Sequence, residues 1–208
     1  MQTLEKLTTT QYGRSFIFLE EVDSTRIGCM GNSGGGAQAT YYAALDKRIK
    51  AVVCCSWFTK RERMYALYGP DDGCQYLANE LREELEIADY YIMQAPRPTL
   101  ILAGTNDFID YKGTQEAFKE LEAAYKLFGE TNQPKLFSVA DGHGISSPKR
   151  EAAVLFFKKL FMNDTVLITQ KTNEILPEHV LNCTHSGQIL IDYPATKSLQ
   201  EKFIEKAN

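Results

Sequence analysis

Four apolar runs of strand length punctuate the chain: RIGCMG (26–31), IKAVVCCSW (49–57), PTLILAGT (98–105) and KLFSVA (135–140). Their apolar residues are continuous rather than alternating, as in strands covered on both faces, and amphipathic segments of helix length follow. Such alternation predicts an α/β domain, a parallel sheet flanked by helices. In GTQEAFKELEAAYKLFGE (113–130), Phe118, Leu121, Tyr125 and Phe128 share one helical face, and Gly129 is placed to stop the helix. In SSPKREAAVLFFKKLF (146–161), Ser147 is placed to cap, Pro148 suits the first helical position, and Val154, Phe157 and Phe161 form the inward stripe. Residues 58–97 are too long for an ordinary connection. Leu77, Leu81, Leu85 and Ala88 predict a helix there; the Tyr-, Gly- and Asp-rich remainder predicts a lid-like excursion over one end of the sheet. After Met162 the rhythm changes, and LNCTHSGQILID (181–192) predicts a small hairpin with Gly187 in its turn. The expected organisation is an α/β domain over 1–162 and a C-terminal extension over 163–208.

With 208 residues, 44% hydrophobic and 11% aromatic, the chain can bury a sizeable core. A net charge of −4, a pI near 5.5 and interspersed charges give no footprint for nucleic acid or an anionic membrane, so small neutral partners fit better. The five cysteines (29, 54, 55, 74 and 183) are odd in number, lie mostly in apolar runs and lack C-x-x-C spacing. They read as small buried hydrophobes rather than a disulfide framework or a zinc site, and no metal or organic cofactor is expected. No apolar stretch reaches the ~18 residues of a membrane span. The start MQTLEKLTTTQYGR lacks the apolar core of a signal peptide, so the expected location is cytoplasmic, or secreted if an N-terminal portion has been lost.

RIGCMGNSGGG (26–36) sets a serine among glycines directly after the first strand. A phosphate loop would require Gly-Lys-Ser/Thr, and a dinucleotide site an acidic residue after the next strand, where CCSWF stands. A bare tight turn would also tolerate these small residues. The third reading is G-x-S-x-G over Gly31, Asn32, Ser33, Gly34 and Gly35, a strained strand-to-helix turn that lifts the hydroxyl above the sheet edge. The Gly34 N–H would then face the oxygen of a tetrahedral intermediate. A serine hydroxyl needs an imidazole to take its proton, and the imidazole needs a carboxylate to fix its tautomer. Asp107 follows the third strand in LILAGTNDFID and His143 the fourth in SVADGHGIS, in the order Ser, acid, His. Asp110 is a rival acid, Asp141 reads as a turn cap, and His179 and His185 lie away from the strand-end series.

On these residues the chain resembles the α/β-hydrolase superfamily, within it the acetyl xylan esterase-like serine esterases related to dienelactone hydrolases. The resemblance runs through RIGCMGNSGGGAQATYYAALDKRIKAVV, ADYYIMQAPRPTLILAGTNDFID and HGISSPKREAAVLFF, covering most of 12–162, with NCTHSGQIL similar to a segment that follows the catalytic domain in bacterial members. It implies Ser33 as nucleophile, His143 as general base and then acid, Asp107 as its orienting carboxylate and Gly34 as one oxyanion donor. It also implies an ester hydrolase working through an acyl-enzyme, on short acyl groups such as acetyl on carbohydrate. Asn32, Trp57, Tyr65 and Tyr68 are candidate substrate contacts, the aromatics serving equally well as lid packing. Family members have roughly four more strands before the nucleophile strand, and the loop after the third gives the second oxyanion donor. Without them the first strand presents an apolar edge that a partner or a second copy would cover, and weak or no turnover is expected of the isolated chain unless association completes the site. The alternatives are a non-catalytic or partner-completed interaction module, or a thioesterase, lactonase or peptidase using the same three residues.

Overall fold

The computed structural model describes residues 20, 22–69, 72, 75–129, 134–168 and 174–207. The start of the chain, residues 12–19 of the resemblance and Cys74 lie outside the described residues. The elements are β1 (Ile27–Asn32), α1 (Gly34–Leu45), β2 (Ile49–Cys55), α2 (Arg61–Tyr68), α3 (Ile87–Gln94), β3 (Thr99–Gly104), α4 (Tyr111–Lys126), β4 (Lys135–Val139) and α5 (Ser147–Met162). Three shorter helices follow: α6 (Glu178–Leu181), α7 (Ile189–Asp192) and α8 (Leu199–Ala207).

The four strands form one parallel sheet in the order β1-β2-β3-β4. Cys55 lies opposite both Asn32 and Leu102, and Gly104 lies opposite Val139, so all four carboxyl ends reach the same rim. Alternate residues of the inner strands serve opposite faces. Val52, Cys54 and Ile101 join Ala37 and Tyr41 of α1, Tyr91 of α3, and Leu121 and Tyr125 of α4 on one side. Val53, Cys55, Leu100 and Leu102 meet Ala153, Phe156 and Phe157 of α5 on the other. This double cover is what the continuous apolar runs announced for β2 and β3; the edge strands β1 and β4 differ, with Met30 and Phe137 exposed. The cover also explains two of the cysteines: Cys54 and Cys55 are fully buried, and desolvation pushes the Cys54 thiol up to about 12, leaving it protonated at neutral pH, whereas Cys29 is half-buried and Cys183 is exposed rather than buried.

Several elements differ from expectation. The helix over Leu77–Leu85 is instead a series of turns with Leu81 exposed, and regular helix begins at Ile87. That helix is core rather than lid, because Ile87, Ala88, Tyr90 and Tyr91 are buried. Phe128 lies beyond the end of α4 and is exposed, while Phe118, Leu121 and Tyr125 are buried as expected. On α5 the N-cap is Ser146 rather than Ser147, and Val154 faces solvent. Phe157 and Phe161 do face inward, over Gly28 of β1, where a Cβ would come within 3.1 Å of the Phe161 ring.

The chain forms two compact units, Met1–Gln170 and Lys171–Asn208. Residues 163–168 stay with the first, as Lys158 Nζ pairs with Asp164 at 2.8 Å and donates to the Val166 carbonyl at 2.9 Å. The expected hairpin is absent: the described residues of the second unit contain helices α6 to α8 and no strand. Gly187 does adopt φ 74° in a turn, but Asp192 accepts the Ser186 N–H at 2.9 Å and draws QILID into a helical turn too short to pair. No helix among the described residues is long and apolar enough to cross a membrane.

Leu121 is fully buried, so Leu121→Ala should destabilise the first unit by about 2–5 kcal/mol. Phe128→Ala should change stability by less than about 0.5 kcal/mol. Urea unfolding followed by circular dichroism measures both.

Candidate functional site

Ser33 is the single residue between β1 and α1, and its backbone sits at φ 54°, ψ −123°. Such a conformation costs about 1–3 kcal/mol in an L-residue and persists only where the surroundings enforce it. Here the Ser33 N–H donates to the Cys55 carbonyl at 2.9 Å, and the Ser33 carbonyl accepts from Ala37 N–H at 3.0 Å. The turn is so tight that a Cβ on Gly31 would overlap the Gly35 carbonyl. A Cβ on Gly36 would press to 3.1 Å from both the Cys54 sulfur and the Cys55 carbonyl oxygen. Gly31 and Gly36 are therefore steric requirements of the serine turn, whereas a Cβ on Gly35 would meet nothing within 4 Å. Gly34 opens α1, and its N–H belongs to the first turn, whose donors have no partner within the helix.

Asp107 and His143 follow β3 and β4 and are joined. His143 Nδ1 donates to Asp107 Oδ1 at 2.9 Å, and the same oxygen accepts the Ile109 N–H at 3.1 Å. The carboxylate is 1% exposed and the imidazole 28% exposed. A carboxylate oxygen can only accept here, so Nδ1 carries the proton and Nε2 is left as the ring's acceptor. Phe108 stacks on the imidazole with centroids 4.4 Å apart and planes 25° apart, shielding one face of the ring.

The serine turn and the imidazole loop share the end of β2. Cys55 accepts the Ser33 N–H through its carbonyl, while its Sγ lies 3.4 Å from the Gly144 carbonyl. Ser56 Oγ accepts the Gly144 N–H at 3.3 Å. Ser33, Asp107 and His143 thus occupy one rim, each at the carboxyl end of a parallel strand.

The rival groups are otherwise engaged. Asp110 caps α4 by accepting the Gly113 N–H at 2.8 Å and is paired with Arg63. Burial works to raise its carboxyl, but Arg63 and the Gly113 N–H outweigh it and hold it below the usual carboxylate range. Asp141 is paired with Lys149 at 2.7 Å. His179 and His185 are exposed on the second unit.

Of the candidate substrate contacts, Asn32 is half-buried beside Ser33, and its Oδ1 is buried with no hydrogen-bond partner. Tyr65 stacks on Tyr76 with centroids 6.1 Å apart, and Tyr68 is exposed. Trp57 is corrected by the structure: it is buried, packs edge-on to Tyr41 at 5.7 Å and lies under the Arg61 guanidinium, so its ring has no open face for a ligand. Sequence reasoning did not find Phe108, although an exposed aromatic directly after the acid in N-D-F was a usable signal. It also did not find Lys149, which resembles any other lysine on an amphipathic helix. Among the described residues, no group of three or more His, Cys, Asp or Glu side chains could hold a metal ion.

Comparison with known proteins gives matching results. Residues 8–82 match the acetyl xylan esterase (AXE1) family. Over 161 residues the chain is 30% identical to YtaP of Bacillus subtilis (strain 168), whose name describes it as a hydrolase, covering 76% of this chain and 53% of that protein. A glucuronoyl esterase from Solibacter usitatus superposes with a TM-score of 0.56 at 17% identity, over 70% of this chain and 45% of that one. A CE15 glucuronoyl esterase from Teredinibacter turnerae T7901 gives 0.56 at 18% identity, over 77% and 45%. The chain spans about half the length of these relatives. The fold they share with it is of the α/β-hydrolase type.

The two acids should separate cleanly. Asp107→Ala should abolish the downfield proton NMR resonance of the His143 Nδ1–H without unfolding the chain. Asp110→Ala should keep that resonance and cost about 1 kcal/mol of stability through the lost helix cap.

Proposed function

From an α/β-hydrolase scaffold with a strained serine at one strand end and a carboxylate-oriented imidazole at another, we propose that the chain is a serine ester hydrolase. Ser33 is the nucleophile, His143 the proton carrier and Asp107 the orienting carboxylate. The observation that carries this reading is the 2.9 Å bond from His143 Nδ1 to Asp107, which leaves Nε2 as the proton acceptor.

The steps follow from those roles. Ser33 Oγ forms a bond to the ester carbonyl carbon as its proton passes to His143 Nε2, and Asp107 offsets the charge gained by the ring. The Gly34 N–H, at the start of α1, donates to the oxyanion of the tetrahedral intermediate. The intermediate collapses, the bond to the alcohol breaks, and the alcohol leaves with the proton from His143. Water then attacks the acyl-serine with His143 again as base, releasing the acid and restoring Ser33. Gly34 is one oxyanion donor. The resemblance implies a second from a loop ahead of β1, and one such donor is worth about 10²–10³ in rate.

For the substrate class, the match to the acetyl xylan esterase family over residues 8–82 supports short acyl esters, with acetyl on a carbohydrate as the natural case. Asn32, next to Ser33 in the chain and half-buried, is the candidate polar contact to the substrate.

A fluorophosphonate should form a covalent adduct that peptide mapping assigns to Ser33. The adduct should be absent in Ser33→Ala and form about 10²–10⁴ times more slowly in His143→Ala. p-Nitrophenyl acetate should be hydrolysed in preference to the octanoate. No adduct, or one at another residue, would refute the assignment.

A further inference from the structure

We propose that Lys149 is a positioning residue: its buried ammonium clamps the two carbonyls that flank His143 and so sets the imidazole against Asp107. Lys149 lies in the first turn of α5, and its side chain is fully buried. Nζ donates to the Gly142 carbonyl at 3.3 Å and the Gly144 carbonyl at 3.0 Å, and pairs with Asp141 Oδ1 at 2.7 Å. An ammonium has three protons, and here three oxygens surround it. All three belong to the four-residue segment 141–144 that carries the imidazole.

Packing alone does not call for such a group. Taking an ammonium out of water costs several kcal/mol, and an apolar side chain of similar volume would fill the same space at no such cost. The His143 loop does call for it. Gly142 and Gly144 flank the histidine; a Cβ at either would meet nothing within 4 Å, and Gly144 adopts φ 124°. A Gly-His-Gly segment has wide backbone freedom, and ordering it costs more entropy than ordering other residues. Lys149 bonds the carbonyl on each side of the histidine and removes that freedom.

The clamp extends to the acid. The Asp141 carbonyl accepts the Asn106 N–H at 3.0 Å, and the next residue is Asp107. At the end of β3, a Cβ on Gly104 would come to 2.6 Å from both the Asp141 and Gly142 carbonyl oxygens. The two loops therefore touch backbone to backbone, and a small shift of 141–144 moves the imidazole relative to its carboxylate. Burial works to raise the Asp141 carboxyl, but the Lys149 ammonium outweighs it and holds it below the usual carboxylate range, so Asp141 is ionised at neutral pH.

The effect on rate rests on the hydrolase reading, whereas the effect on geometry does not, and the test uses both. Lys149→Met keeps the length of the side chain and removes its charge and donors. In folded Lys149→Met, the His143 Nδ1–H resonance should be lost or broadened and fluorophosphonate labelling of Ser33 should slow at least tenfold. kcat for p-nitrophenyl acetate should fall with little change in KM. Asp141→Asn, at a partly exposed side chain, should slow labelling about three- to tenfold and broaden the resonance, and it decides the matter if Lys149→Met does not fold. Lys149→Arg, which keeps charge and donors, should recover part of the loss. A lysine serving only the global fold would lower the melting temperature without changing the resonance or separating kcat from KM in folded molecules. A folded Lys149→Met or Asp141→Asn with wild-type resonance and labelling would overturn the clamp. A wild-type chain that shows the resonance but never labels Ser33 would overturn the hydrolase reading and leave the clamp standing.

Discussion

A hydrogen bond from one imidazole nitrogen to a buried carboxylate decides what the other nitrogen can do. In this chain the bond runs from His143 Nδ1 to Asp107 at 2.9 Å, and it exists because β3 and β4 are parallel neighbours that end together. Were the strands antiparallel, the loops after them would leave from opposite ends of the sheet. The close approach at Gly104, the Asn106–Asp141 backbone bond and the Phe108 ring over the imidazole each hold the two loops at the spacing this bond needs. Without it Nε2 would have no assigned proton state, and the proposed role of the strained serine would lack its base.

The serine turn stores strain that the rest of the sheet must sustain. About 1–3 kcal/mol for the Ser33 backbone is a large share of the 5–15 kcal/mol by which a domain is stable. It is borne by bonds at both ends of the residue, to Cys55 and Ala37, and by the fully buried residues 51–55 of β2 beneath the turn. The end of β2 is also where the two halves of the site meet, since Cys55 bonds to both the serine turn and Gly144, and the next residue, Ser56, accepts the Gly144 N–H. Rigidity at the end of this inner strand is the mechanical link between the serine turn and the imidazole loop.

What could be read in advance followed from this economy of contacts. The strands were legible because inner strands of a parallel sheet are covered on both faces and leave unbroken apolar runs. Ser33, Asp107 and His143 stood out because strand ends are few and the three residue types fall there in order. The sequence favours Asp107 over Asp110 only for lying nearer the end of β3, and it is the cap to Gly113 and the pairing with Arg63 that give Asp110 its own role. Lys149 was invisible for the opposite reason to the strands: a charged residue at a buried helical position runs against the hydrophobic pattern used to find the inward face. The same pattern promoted Val154, which is exposed, and a helix over Leu77–Leu85, where the Glu80 side chain instead accepts from Arg61, Tyr41 and the Leu77 N–H and organises turns. Trp57 looked like a sugar platform by position, but cation and ring contacts with Arg61 and Tyr41 draw it into the core.

The proposed function requires one spatial relation: the second ring nitrogen of His143 must reach the hydroxyl of Ser33 across the end of β2. A crystal structure of the chain after reaction with a fluorophosphonate measures this directly. The account predicts phosphorus bonded to Ser33 Oγ, an adduct oxygen within hydrogen-bond distance of the Gly34 N–H, and His143 Nε2 turned toward the serine oxygen with Nδ1 still on Asp107. An adduct on Ser33 with the imidazole directed away, or held by a different carboxylate, would contradict it.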